Sequence, residues 1–238
     1  MNKFDALVLK SKNKIDLEKN IKLPKLLDSK ILVKIFYSGL CRSQIMEIEQ
    51  KRGKDKYLPH LLGHEATGIV INIGKKVKTL KVGDHVVLSW INSKGLTSGG
   101  IKFLYKNKLI NAGPVTTFSN YSIVSENKCT KVHRNFPKDT GVVFGCAALT
   151  GMGMALNEVN LKKSDDVLLI GFGGIGFFIY AAILSKKVNN LYILENNKEK
   201  KKFLKKLKFN HIVSEYNYLK KKNKKFDYCF DATGSVKA

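Results

Sequence analysis

The stretch VLLIGFGGIGFFIYAAILSK, residues 167–186, decides how the second half of this 238-residue chain is read. A run of four β-type residues, VLLI, stops at a cluster of four glycines, and ten residues of helical character, FFIYAAILSK, follow. Alone, a G-x-G-x-x-G pattern is a flexible turn as easily as a phosphate cradle. Its surroundings favour the cradle. Gly171 permits the sharp turn, Gly173 lets the backbone approach a diphosphate, and Gly176 allows the helix to pack on its strand. The helix N-terminus at Gly174 and Ile175 then offers free N–H groups and a partial positive charge.

Downstream the pattern alternates: LYILE at 191–195, a lysine-rich helix at 198–208, HIVS at 211–214, and FDYCFDATG at 226–234. Strands alternating with helices predict a parallel sheet covered on both faces. Glu195 closes the second strand, 19 positions after Gly176. An acidic side chain there accepts hydrogen bonds from the adenosine ribose and repels a 2′-phosphate, which favours NAD over NADP. The alternative is a glycine turn that binds nothing.

The first half has another texture. ALVLK (6–10), ILVKIFYSG (31–39), ATGIVINIG (66–74), HVVLSW (85–90), YSIVS (121–125) and KCTKV (128–132) are short β-type runs punctuated by Gly and Asp. That spacing predicts an antiparallel barrel or sandwich. Residues 92–113, glycine-bearing and polar, read as a long loop, and a helical pattern starts near residue 142.

Composition narrows the class. The formal charge is +24, carried by 40 lysines and only three arginines, alongside 19 asparagines. Arginine, the residue suited to bidentate reading of bases and phosphates, is nearly absent, so a general Lys/Asn bias explains the charge better than nucleic-acid binding. No apolar run reaches the length of a membrane span, and the first residues lack the apolar core of a signal peptide, so no membrane partner and a cytoplasmic location are expected. The cysteines, Cys41, Cys129, Cys146 and Cys229, form no C-x-x-C pair and do not suggest a disulfide framework.

Cys41 follows a strand in YSGLCRSQ, His64 and Glu65 open another in LLGHEATG, and Cys146 lies in FGCAALTG. Together Cys41, His64 and Cys146 make a Cys₂His set with a fourth position open, as in a catalytic zinc site. Separately each has a plainer reading: a buried thiol, or a hydrogen-bonded core histidine. Spacing this wide leaves both readings open.

The surroundings carry a resemblance. GHEATGIVINIGKKV, at 63–77, fits the zinc-containing alcohol dehydrogenase signature G-H-E-x₂-G-x₅-G-x₂-V at Gly63, His64, Glu65, Gly68, Gly74 and Val77. GLCRS, VGDHV, GFGGIG and FDYCFDATG resemble the same medium-chain dehydrogenase family. The resemblance implies α/β plus β architecture: a GroES-like β-barrel catalytic domain over 1–147, then an incomplete Rossmann doubly wound parallel sheet over 148–238.

It also implies hydride transfer between an alcohol or polyol and NAD, with one catalytic zinc. Cys41, His64 and Cys146 would be its ligands, and Glu65 a tuning or exchanging ligand behind it. Ser43 would take the substrate proton, Arg42 would approach the cofactor diphosphate, and Thr150 the nicotinamide side. Gly171, Gly173, Gly174, Ile175 and Gly176 would cradle the diphosphate, with Glu195 and Lys200 at the ribose. Asp84 would be structural. A sugar or thiol-adduct substrate, or a non-catalytic zinc- and nucleotide-binding fragment, are the alternatives.

The chain also departs from the family pattern. Residues 91–114, where many members place four structural-zinc cysteines, contain none, so no structural zinc is expected. Met46 stands where some members have a relay histidine, and Gln44 where the family usually has an acid. The chain ends about four strands into the nucleotide domain, where members continue, so the resemblance implies a fragment of a homodimeric or homotetrameric parent. Cys129 and Cys229 are expected to be inert core thiols.

Overall fold

The computed structural model describes residues 3–207, 212–213 and 215–235. The chain divides into two compact units, Met1–Cys146 and Ala147–Ala238.

The first unit is built almost wholly of strands. β1 (Lys3–Ser11), β2 (Lys14–Lys22) and β3 (Lys30–Ser38) lead into a short helix, α1 (Arg42–Ile48). There follow β4 (His60–Leu61), β5 (Ala66–Ile73), β6 (His85–Leu88), β7 (Ile101–Tyr105), β8 (Lys108–Ala112), β9 (Tyr121–Ser125) and β10 (Cys129–Val132). They form two five-stranded sheets, ordered β2-β1-β4-β8-β7 and β10-β6-β5-β3-β9. Antiparallel pairing dominates, with β4 and β8 the parallel exception among the described residues of this unit.

Alternation explains the packing. In β9, Ile123 joins the apolar cluster of Phe4, Val8, Phe103 and Ile110, while its neighbour Val124 joins that of Ile31, Val33, Val86 and Leu88. Successive side chains point to opposite faces, so one strand feeds two cores. Burial of each such side chain contributes about 1.5–3 kcal/mol.

The stretch 92–113, expected to be a loop, contains the β7–β8 hairpin. Lys106 and Asn107 both adopt positive φ, at 48° and 61°, which is the backbone a two-residue hairpin turn requires. The segment between β6 and β7 is pinned by buried charge. Glu126 accepts from the N–H groups of Lys78 and Leu96, at 2.8 and 2.9 Å, and from Thr79. The Lys30 and Lys128 ammonium groups donate to the carbonyls of Gly99 and Trp90. Asp84 is likewise structural: it accepts from the Lys81 N–H and pairs with Lys131 at 2.7 Å.

The second unit opens with α2 (Ala147–Leu156), preceded by a 3-10 turn over Thr140–Gly145 rather than by continuous α-helix. β11 (Asp166–Ile170), α3 (Gly174–Lys186), β12 (Asn190–Leu194) and α4 (Lys198–Lys206) follow. Then come β13 (Ile212–Val213), α5 (Tyr216–Lys221) and β14 (Tyr228–Asp231). The parallel sheet has the order β13-β12-β11-β14, with crossovers through α3 and α4. Lys208, His211 and Ser214, at the edges of two expected elements, lie outside the described residues.

The core of this unit gathers Val167, Leu169, Ile179, Ile183, Ile193, Leu204 and Phe230. Cys129 is a buried thiol, and desolvation pushes its pKa up. Cys229 is not in the core as expected. It is exposed, because β14 alternates and commits Phe230 inward.

Candidate metal centre and nucleotide loop

Three chain segments of the first unit bring the candidate ligands together. β3 ends at Ser38, and Cys41 serves as the N-cap residue of α1, whose first turn holds Arg42, Ser43 and Gln44. His64 follows β4 through Gly63, which has φ +88°. A Cβ on Gly63 would come within 2.4 Å of Thr117 Oγ1 and 2.7 Å of Phe118, so only glycine fits that corner. Cys146 ends the 3-10 turn that closes the unit.

Glu65 and two glycines set the spacing between these segments. The Glu65 carbonyl accepts from Gly39 N–H at 3.0 Å, Ser38 Oγ at 3.1 Å and Thr117 Oγ1 at 3.2 Å. A Cβ on Gly39 would meet the Glu65 side chain at 2.6 Å, and one on Gly145 would meet Glu65 Cβ at 2.6 Å and the Leu88 carbonyl at 2.4 Å. Ser89 Oγ fixes the other side of this contact by donating to the Gly145 carbonyl at 2.7 Å. Gly39 and Gly145, close in sequence to Cys41 and Cys146, thus both pack against Glu65, the neighbour of His64.

The ligand atoms of Cys41, His64 and Cys146 all lie within 4.8 Å of one another, each residue half-buried. Among the described residues they are the only such group of three or more His, Cys, Asp or Glu side chains. His64 Nε2, Ser43 Oγ and Glu65 Oε2 are buried with no hydrogen-bond partner among the described residues. Burial lowers the pKa of His64, keeping the ring neutral, and raises that of Glu65 to about 7. Two sulfurs beside an imidazole that keeps one nitrogen free of hydrogen bonds make a donor set that suits Zn²⁺, whose ligands are thiolate and neutral imidazole. Arg42 is exposed at the start of α1.

The glycine loop of the second unit has the geometry its pattern predicts. Gly171 has φ +86°, and a Cβ there would strike Thr233 at 2.9 Å. A Cβ on Gly176 would come within 2.2 Å of the Gly171 carbonyl, so helix and loop touch backbone to backbone. Gly173 is the N-cap of α3, and the Cβ position there meets only Lys200 Nζ, at 4.0 Å. Gly174 and Ile175 begin the helix, and Thr150 is half-buried in α2.

Glu195 is buried directly after β12. Its Oε2 accepts from Phe172 N–H and its Oε1 from Asn197 N–H, both at 2.8 Å. Burial alone would raise its pKa, yet those N–H groups and Lys200, 3.8 Å away, bring it below the ordinary value. The carboxylate therefore braces the glycine loop as well as ending the strand. Beside it opens a cavity of about 220 Å³, lined by Ile170, Gly171, Leu194, Glu195, Tyr216 and Thr233 among others. Tyr216, which belongs to no motif, and Thr233, near the end of FDYCFDATG, were not legible as site residues. Thr233 lies in DATG directly after β14, next to the strand that carries the first glycine, and that adjacency is the signal that could have found it.

Residues 28–134 match the alcohol dehydrogenase GroES-like domain. Over that stretch the chain is similar to the alcohol dehydrogenases. It is 27% identical to an S-(hydroxymethyl)glutathione dehydrogenase of Komagataella pastoris, over 87% of this chain and 63% of that protein. To an alcohol dehydrogenase class-3 of Drosophila melanogaster it is 25% identical, over 87% of this chain and 63% of that protein. The crystal structure of benzyl alcohol dehydrogenase from Acinetobacter calcoaceticus superposes with a TM-score of 0.85 at 22% identity, covering 100% of this chain and 72% of that one. That likeness establishes the GroES-like and Rossmann fold. The chain spans 63% of the length of the two curated relatives named. No helix among the described residues is long and apolar enough to cross a membrane.

Proposed function

We propose that this chain carries the zinc centre and the first part of the NAD site of an alcohol dehydrogenase. The observation that supports the reading most is the convergence of Cys41, His64 and Cys146, whose ligand atoms lie within 4.8 Å of one another, together with a His64 Nε2 that has no hydrogen-bond partner among the described residues. Those three side chains would hold one Zn²⁺. Bound there, zinc would supply Lewis-acid polarisation of an alcohol or carbonyl oxygen, and NAD the hydride acceptor.

The chain's own residues then have distinct tasks. Ser43, two positions after Cys41, holds a buried hydroxyl without a partner, suited to taking the proton of a substrate hydroxyl. Glu65, raised to about 7 beside the cluster, is a second buried group that can exchange a proton or approach the metal. Gly171, Gly173, Gly174, Ile175 and Gly176 would receive the diphosphate at the α3 N-terminus. Lys200, facing the open space above Gly173, would neutralise it, and Arg42 would approach the same group. Glu195 would bind the ribose hydroxyls with the lone pairs left by Phe172 and Asn197, which favours NAD. Thr150 would lie at the nicotinamide end.

The substrate class follows less directly. A thiol-adduct alcohol is a second reading, favoured by the match to an S-(hydroxymethyl)glutathione dehydrogenase and by a formal charge of +24 that attracts anionic substrates. A panel of primary alcohols, polyols, and formaldehyde with glutathione, each with NAD and NADP, tests both readings. NADH formation that is lost in Cys146→Ser supports the proposal. NAD binding without turnover on any substrate supports a non-catalytic binding role instead.

A further inference from the structure

Gln44 makes contacts that the metal-centre reading leaves unused. It lies in the first turn of α1, is only 5% exposed, and its amide touches three groups. Oε1 accepts the Gly63 N–H at 2.5 Å. Nε2 lies 3.1 Å from Glu47 Oε2 and 3.0 Å from His64 Nδ1. A backbone N–H can only donate, so the Gly63 contact fixes Oε1 on that side and turns the NH₂ toward His64. An amide NH₂ only donates, so Nδ1 is the acceptor. The single proton of the neutral ring is then on Nε2, the nitrogen that faces no partner.

Zinc ligation through Nε2 requires the opposite tautomer. The proton must leave Nε2 and one must be taken up at Nδ1, so the ring stays neutral while Nδ1 becomes a donor. That donor would face the donor NH₂ of Gln44. Histidines that bind metals ordinarily give the remote N–H to a carboxylate, a carbonyl or water. Here the nearest carboxylate on that side, Glu47, stands one side chain further out, behind the amide. Turning the amide over would present its oxygen to Nδ1–H but would sacrifice the bond from Gly63.

The geometry points to Gln44 as a positioning residue that locks His64 in its metal-free tautomer, so the centre takes up zinc more weakly than it would with an acceptor at position 44. This rests on the reading of Cys41, His64 and Cys146 as a zinc centre.

The test is a paired exchange, Gln44→Glu with Glu47→Gln, which moves the carboxylate onto His64 at constant charge. Gln44→Glu alone would oppose two carboxylates about 3 Å apart, which is why both are exchanged. Zinc affinity is measured on the full chain by competition with a chromophoric chelator. The exchange is expected to tighten zinc binding about 10- to 100-fold, the range over which outer-shell partners act. Equal or weaker binding overturns the inference and leaves the zinc centre standing. Absence of zinc uptake in both proteins overturns the zinc centre and the inference with it. Independently of whether the exchange folds, imidazole ¹⁵N shifts of the metal-free wild-type chain should show Nε2 protonated; protonation at Nδ1 overturns the lock.

Discussion

Single residues decide whether the centre exists. Gly145 lies against Glu65 Cβ and the Leu88 carbonyl at distances where no side chain fits, and Cys146 is the next residue. Gly145→Ala should therefore push Cys146 away from Cys41 and His64. We expect zinc stoichiometry well below that of the wild type, with far-UV circular dichroism little changed; unaltered stoichiometry would mean that the 3-10 turn yields without moving the thiol. Glu126 acts at the same scale on stability. Its carboxylate, held near 2 by N–H and hydroxyl donors that outweigh its burial, lies below the ordinary 4.5. The bonds therefore stabilise the fold fully above about pH 4.5 and are lost as pH falls toward 2. Glu126→Ala should cost about 1–3 kcal/mol near neutral pH, because four donors lose one acceptor. The urea midpoints of mutant and wild type should converge on acidification toward pH 2; a constant gap would assign the effect to packing alone.

At the scale of elements, the parallel sheet was readable because three of its four strands end in a chemical marker of their own: the glycines after β11, Glu195 after β12, DATG after β14. The β-rich half was readable only where strands are buried. β2 and the β7–β8 hairpin carry mostly exposed lysines and a Lys-Asn turn in place of the usual Asn-Gly, so charge hid their alternation. α1 escaped notice because it has only seven residues and no side-chain cap. Of the candidate site, the metal-cluster residues were legible from the signature around His64. The doubled role of Glu195 was not, since hydrogen bonds to Phe172 and Asn197 depend on how the loop folds back. That role has a consequence. Glu195→Ala removes the acceptor of two N–H groups as well as the ribose partner, so NAD binding should weaken at least about tenfold, whereas a residue serving the ribose alone would leave the loop intact. Isothermal titration with NAD and with ADP-ribose checks this. Unchanged affinity for both would place the nucleotide elsewhere.

For the whole molecule, each unit has its own buried clusters and its own candidate site. The metal cluster is contained in Met1–Cys146 and the glycine loop in Ala147–Ala238. Loss of metal should accordingly act on the first unit. Zinc that binds the folded state and not the unfolded one stabilises it by mass action, so chelation should lower the melting temperature, and NAD should still bind the chelated chain. Loss of NAD binding on chelation would show that the two sites depend on each other. The charge of +24 belongs to this scale too, carried by 40 lysines dispersed along the chain.

The central claim is that Cys41, His64 and Cys146 hold one zinc ion. Elemental analysis of the purified chain, set beside its Cys41→Ser variant, tests it most directly. One zinc per wild-type chain and substantially less in the variant is the predicted result. A folded wild-type chain without zinc, or full zinc retained when Cys41 is replaced, would contradict it.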